Sequence, residues 1–360
     1  MRHFIVVLLL LAIVMAPLPL HAFGGSEEEP PEVDYVSVML PDTADSHPLY
    51  QMIVDGARAA VAERDDLEVE VITGLRRGDP RLAERASDRR VALLVVGGGA
   101  LLEDGIRAAT EHPEASFLIV DGKAPALANA AGLLINRREQ AFLAGYIAGL
   151  RLGEEDPSGA APGESAATAP ATAGLLIETG LYMSEDVVRS AYRLGLRAAA
   201  DGNRPRTRRL PLGASVSVLR SRIEDFDADG TPVLLPALYA NRSAAMRALR
   251  ETDMDIIWLD SERPETGRDR ALAAIALEIE DAVARMIAQI LDAGPESVET
   301  VEASFRSGRM RLNTDFDRFE SAFDAETRSR IEHMAERLET GDLSLPMPPA
   351  PAPPRDPQDQ

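Results

Sequence analysis

Residues 116–150 read SFLIVDGKAPALANAAGLLINRREQAFLAGYIAGL. A short apolar run, 116–120, ends in Asp121-Gly122, and a turn-rich connector leads to a second apolar run, 132–135. Asn136-Arg137-Arg138-Glu139 follows and opens a helix-like stretch over 140–150. Strand, acidic turn, strand, capped helix is how an α/β sheet presents polar groups at the carboxyl ends of its strands. Asn136 is placed to cap the helix, with Glu139 three residues on as in a capping box. Ala141, Gly145 and Gly149 make a stripe of small residues that lets the helix lie close to a neighbour, and Phe142, Tyr146 and Leu150 make a bulky stripe for packing.

Working outward, the N-terminal half alternates. Residues 35–40 read as a strand, 48–63 as a one-faced helix, 68–72 as a strand, 80–89 as a helix and 91–96 as a buried strand. Gly97-Gly98-Gly99 closes that strand and opens a helix over 101–110. This is βαβ alternation, which implies a parallel, doubly wound sheet. Residues 153–173 are nearly all Gly, Ala, Pro, Ser, Thr and Glu and read as a flexible surface insertion. Alternation then restarts: strands at 174–177, 206–210, 233–235 and 255–259, helices at 185–200, 215–223 and 243–250. A long helix is expected over 271–293, a late strand pair at 299–304 and 310–312, and a last helix over 326–340. The two halves look alike in architecture without repeating in sequence.

The ends read as processing and tail segments. Arg2 and His3 precede an apolar run over 4–16, broken by Pro17 and Pro19. That run is short for a membrane span of about 20 residues, so residues 1–22 are expected to be a signal peptide; an uncleaved anchor is the alternative. Residues 23–33 form an acidic lead-in, and 345–360 a Pro-rich disordered tail.

The 59 acidic against 38 basic residues, net charge -21, argue against nucleic acid and anionic membranes as partners. The chain has no cysteine, which excludes disulfides, thiolate metal sites and a lipid-modified N-terminal Cys. The expectation is therefore an exported chain, periplasmic or secreted and not a lipoprotein.

Catalytic and metal patterns are weak. The histidines are His3, His21, His47, His112 and His333, with no i, i+3 or i+4 pair. The Gly97-Gly98-Gly99 turn lacks the third spaced glycine of a dinucleotide fingerprint. Asp225, Asp227 and Asp229 end at Gly230 like the start of a calcium loop, but Pro236 stands where that loop needs Glu. No catalytic residues, cofactor or metal site are expected, and the chain is not expected to be an enzyme.

Several segments, in order, resemble the basic membrane protein family of solute-binding proteins of ABC importers, which includes purine nucleoside receptors. They are Val120-Asp121-Gly122, Phe142-Leu143-Ala144-Gly145, Leu94 to Asp104 with its glycines, Glu111 to Phe117, Trp258 to Arg263, and the closing Ile331 to Pro346. The resemblance implies a two-lobed type I periplasmic binding protein fold, each lobe a doubly wound, mostly parallel sheet, crossed three times, near 149–173, 260–264 and 295–299. It implies an N-terminal lobe of 34–150 plus about 264–295 and a C-terminal lobe of 174–260 plus about 299–344, with 151–173 as the insertion. It implies a monomer that holds a nucleoside-like solute between the lobes and delivers it to an ABC permease. The ligand positions it points to are Asp45, Ser46, Tyr50, Gly97, Asp121, Arg189, Asp260 and Glu262.

This chain departs from the family at ligand positions. His47 stands for a Lys, Leu49 and Ser190-Ala191 stand near missing aromatics, and Leu277 stands for another Lys. Two lost stacks and one lost charged hydrogen bond sum to roughly 4 kcal/mol, about a thousandfold in affinity, unless Tyr50, Tyr182 or Arg189 compensates. The alternative function is an interaction or sensory protein on the same scaffold with an altered or lapsed site.

Overall fold

A computed structural model describes residues 33–42, 47–122, 124, 126–154, 172–179, 184–199, 205–211, 214–239, 242–261 and 268–345. The expected signal segment, insertion and tail lie outside these residues, apart from a few residues at their margins.

The first sheet is built from β1 (Asp34–Met39), β2 (Leu67–Ile72), β3 (Val91–Gly97), β4 (Phe117–Val120) and β5 (Ala130–Ile135), joined by α1 (Pro48–Val61), α2 (Pro80–Ala86) and α3 (Leu102–Glu111). Then come α4 (Arg137–Glu154), β6 (Gly174–Thr179), α5 (Ser184–Ala199), β7 (Arg206–Pro211), α6 (Val216–Ala228), β8 (Val233–Ala237), α7 (Arg242–Leu249), β9 (Asp255–Leu259) and β10 (Ala271–Leu277). The chain closes with α8 (Glu280–Ala293), β11 (Val301–Ala303), β12 (Met310–Asn313), α9 (Asp317–Ala322) and α10 (Ala325–Thr340).

The strand orders are β11-β5-β4-β3-β1-β2 and β12-β10-β9-β8-β6-β7. Both follow one pattern, and all pairings are parallel except β10 with β12. This is the expected two-lobed α/β fold. In such sheets the strand order reverses beside the first strand, here at β1/β3 and β6/β8, and polar groups gather outside the carboxyl ends there.

Sheet membership fixes where the chain passes between sheets: after β5, after β10 and after β11. The structure differs from the sequence expectation in three places. Residues 271–277 are a strand, not the start of a long helix; ALAAIAL is buried along its whole length, so it lacks the period-2 alternation that marks a half-exposed strand, and its alanines favour helix. The second passage therefore lies after Leu277 rather than near 260–264. The late strands do not pair with each other: β11 joins β5, and β12 joins β10. Asp225 and Asp227 lie in the last turn of α6, capped by Asp229, and so form no ion-binding loop.

Helix α4 starts three residues before the expected helix, with Asn136 as its cap: Glu139 N–H donates to Asn136 Oδ1 at 3.2 Å. Glu139 does not return the bond as a capping box would; its carboxylate accepts from Phe305 N–H at 2.9 Å, beside the passage after β11. Burial pushes Glu139 up to about 7.

The small-residue stripe of α4 packs on α5. A Cβ at Gly145 would lie 2.1 Å from the Tyr192 carbonyl oxygen, and one at Gly195 would lie 1.9 Å from that of Phe142. The two backbones touch where neither side has a side chain. Gly195→Ala should therefore cost about 1–3 kcal/mol by overpacking or more, whereas Gly153→Ala, with open space around it, should be neutral or slightly stabilising. Urea unfolding of both variants checks this; equal effects would contradict the close helix contact.

Candidate functional site

The cluster between the sheets begins with two aspartates. Asp121 ends β4 and Asp260 ends β9, the matching strands of the two sheets. Both have φ 65, a left-handed conformation that Asp tolerates better than most residues. Each N–H donates at 2.9 Å to the next strand over, Asp121 to Leu133 and Asp260 to Ile275. The two sheets thus aim one carboxylate each at the same place.

Arg137, the first residue of α4, fills that place. Its Nε and Nη2 donate to Asp121 at 3.1 and 3.0 Å. Its Nη1 reaches both Asp260 oxygens at 2.5 and 2.7 Å. Gln140, one turn on, accepts from Arg137 at 2.8 Å and donates to Asp260 at 2.8 Å. The guanidinium also lies over the Tyr239 ring, 5.3 Å from its centre. All three charged side chains are within 6% of full burial.

Burial pushes Asp121 up from its ordinary value, and Arg137 offsets only part of that; the Gly99 N–H also bonds it. Burial pushes Asp260 up too, but Arg137 and Gln140 outweigh it and hold Asp260 low. Burial disfavours the Arg137 cation, yet the two carboxylates keep it charged. Removing one partner from such a buried group strands a charge, which costs about 3–5 kcal/mol.

His47 packs against this triad. Its Nδ1 accepts from Leu49 N–H at 3.1 Å, capping α1. The proton therefore sits on Nε2, which donates to the Leu238 carbonyl at 3.2 Å. Burial and the nearby Arg242 cation push His47 down to about 3, so the 3.7 Å approach of Nε2 to Asp260 is a contact of a neutral ring and not an ion pair. Its ring stacks on Tyr239 at 5.9 Å and 7° and tilts against Tyr50 at 5.3 Å. Tyr239 N–H donates to Glu178, at the end of β6, at 2.6 Å.

Three polar groups in this region are buried without partners. Tyr50 Oη is one; it stands over Gly98, whose φ of 88 and missing Cβ give the ring room. Arg242 Nη2 and Trp258 Nε1 are the others.

The sequence-based candidates divide. Tyr50, Asp121 and Asp260 come together here. Gly97 is adjacent but inward: a Cβ there would strike Leu40 and Ile53, so its role is packing. Arg189 does not join the cluster; it lies half-exposed on α5 and donates to Asp186 at 2.6 Å. Asp45, Ser46 and Glu262 lie outside the described residues. Sequence reading missed Arg137, Gln140, Glu178, Tyr239 and Arg242 as site residues. One signal was present: Arg at a helix start opposes the helix dipole, which holds for both Arg137 and Arg242. Among the described residues, no group of three His, Asp or Glu could hold a metal ion, and no helix is long and apolar enough to cross a membrane.

Residues 33–207 match the family Bmp, described as ABC transporter substrate-binding protein PnrA-like. Over that span, just under half of the chain, the sequence is similar to the Bmp family. The Bmp match begins at the residue before β1 and ends within β7. Solved structures extend the likeness of fold to most of the chain. A solute-binding protein of an ABC transporter system from Aeropyrum pernix K1 aligns with TM-score 0.70 at 15% identity, covering 88% of this chain and 94% of that one. A carbohydrate transporter solute-binding protein from Agrobacterium radiobacter, in complex with D-arabinose, aligns with TM-score 0.59 at 13% identity over 84% and 99%. A transcriptional activator of the comK gene from Bacillus halodurans shares the fold equally, TM-score 0.59 at 15% identity over 85% and 98%. The match to Bmp supports a substrate-binding role; the neighbours give the fold.

Two outcomes follow from this geometry. Arg137→Met should lower stability by about 3–5 kcal/mol, and adding Asp260→Asn should recover part of it. A purely additive double-mutant cycle would contradict the bridge. His47 is depressed in the folded state, so its neutral form stabilises above the unfolded pKa of about 6.5, and that stability is lost as pH falls below it. Between pH 6.5 and 5 the wild type should lose about 1.5 kcal/mol more than His47→Gln in urea unfolding; parallel pH profiles would contradict the buried neutral ring.

Proposed function

We propose that the chain is the exported solute-binding component of an ABC importer, working as a monomer in the periplasm or outside the cell. A small polar, nucleoside-like solute binds between the strand ends of the two lobes and is handed to the membrane permease. The observation that carries this reading is the convergence at the two switch points: carboxylates from matching strands, stacked aromatic rings, and a buried Tyr50 hydroxyl with no partner. Aromatic faces and a few fixed polar groups are what a small-solute site needs, and lobe closure around the solute is the expected motion. The nucleoside comes from the Bmp resemblance.

A second reading has one observation in its favour. Arg137 already occupies the place both aspartates face, as a bound solute would. On this reading the arginine is a permanent internal latch, and the scaffold serves as an interaction or sensory protein.

Thermal unfolding of the purified protein against nucleosides and sugars at 1 mM separates the two. A solute with micromolar affinity stabilises by about 4 kcal/mol at that concentration. A clear shift for any solute supports transport binding; a flat panel contradicts it and favours the latch.

A further inference from the structure

Arg242 is the buried group that the triad does not explain. It is the first residue of α7 and is 5% exposed. Its Nη1 donates to the Leu259 carbonyl at 2.8 Å, at the end of β9 and next to Asp260. Its guanidinium lies over the Trp258 ring, 5.1 Å from the centre. Nη2 has no partner, and neither has Nε1 of the same Trp258. Among the described residues no carboxylate reaches this guanidinium within ion-pair distance. A buried cation whose contacts are one neutral carbonyl and one ring is under-compensated, and burial accordingly lowers Arg242 to about 10.

The bare groups are of one kind. Arg242 Nη2 and Trp258 Nε1 can only donate, and Tyr50 Oη has a proton to give. What is missing is an acceptor. The unpartnered donors of the Arg242–Trp258 stack call for an acceptor, and a carboxylate is the acceptor that also offsets the buried charge. The start of a helix favours an anion as well. The charge balance limits that anion to one unit. Arg242 offers one positive charge, while Asp121, Asp260 and Glu178 with Arg137 leave the rest of the cluster negative. A second negative charge on the solute would meet those carboxylates without a cation of its own among the described residues.

Resting on the solute-binding reading above, we propose that Arg242, with Trp258, selects solutes that carry a single carboxylate. Asp121 and Asp260 are engaged by Arg137 and hold it in place. The ligand class is then acidic sugars, acidic nucleosides or small keto acids, ahead of their neutral counterparts.

The test is calorimetric titration of the full chain with matched pairs: orotidine against uridine, D-galacturonate against D-galactose, pyruvate against pyruvamide. In at least one pair the acid should bind tenfold or more tighter than its neutral partner, and Arg242→Gln should abolish that preference. The same variant should melt at the same or a higher temperature without solute, because it removes an uncompensated buried charge. A structural role for Arg242 would instead lower the melting temperature. Neutral members binding as well as acids, or a preference that survives Arg242→Gln, overturns the inference and leaves solute binding standing. Should no member of any pair bind, the solute-binding reading falls with it. If Arg242→Gln does not fold, the acid-against-neutral comparison on the unaltered protein decides alone.

Discussion

One arginine holds the strand ends of two sheets together. Arg137 binds Asp121 from the first sheet and Asp260 from the second, and nearly everything near it follows from keeping that charge buried. A buried cation needs compensation on every donor; the two carboxylates, Gln140 and the face of Tyr239 supply it. The carboxylates in turn need their backbones turned inward, which the left-handed conformation at both positions provides. Burial and the nearby Arg242 cation keep the neighbouring ring at His47 neutral, and it serves as a stacking surface and a helix cap.

The arginine can reach both sheets because of where its helix lies. Helix α4 begins at the first passage between sheets, tied there by Asn136 to Glu302 at 2.8 Å and by Glu139 to Phe305. Its body packs on α5, from the second half of the chain, through glycine-on-backbone contacts. That contact fixes how closely α4 lies on α5, and the helix axis sets where its first residue points. Helix packing and the polar cluster are therefore one construction, in which the stripe at Ala141, Gly145 and Gly149 positions the guanidinium one turn before it.

Much of this was legible in the sequence. Val120-Asp121-Gly122, the capped helix start and the glycine stripe are local features, and local features survive into the fold. The repeated alternation of strands and helices gave the two-sheet architecture, and the ordered family segments gave the family. What failed was non-local. The run at 271–277 is a strand only because β9 and β12 flank it; its alanines say helix. The partner of a carboxylate 123 residues away leaves no trace in spacing, so Asp260 was found from the family resemblance while Arg137, one residue from the predicted cap, was passed over. Arg189 was placed by matching a family segment, and a surface position on α5 satisfied it with Asp186 instead.

The account turns on Arg137 holding the two strand ends together in solution. Because the chain has no cysteine, two introduced ones label it cleanly. Spin labels at Glu111, at the end of α3, and Glu251, just after α7, report the separation of the two sheets by pulsed electron resonance. The account predicts one narrow distance distribution in the wild-type background and a shifted, broader one when Arg137→Met is added. Identical distributions in both backgrounds would show that the lobes are held by something other than this arginine.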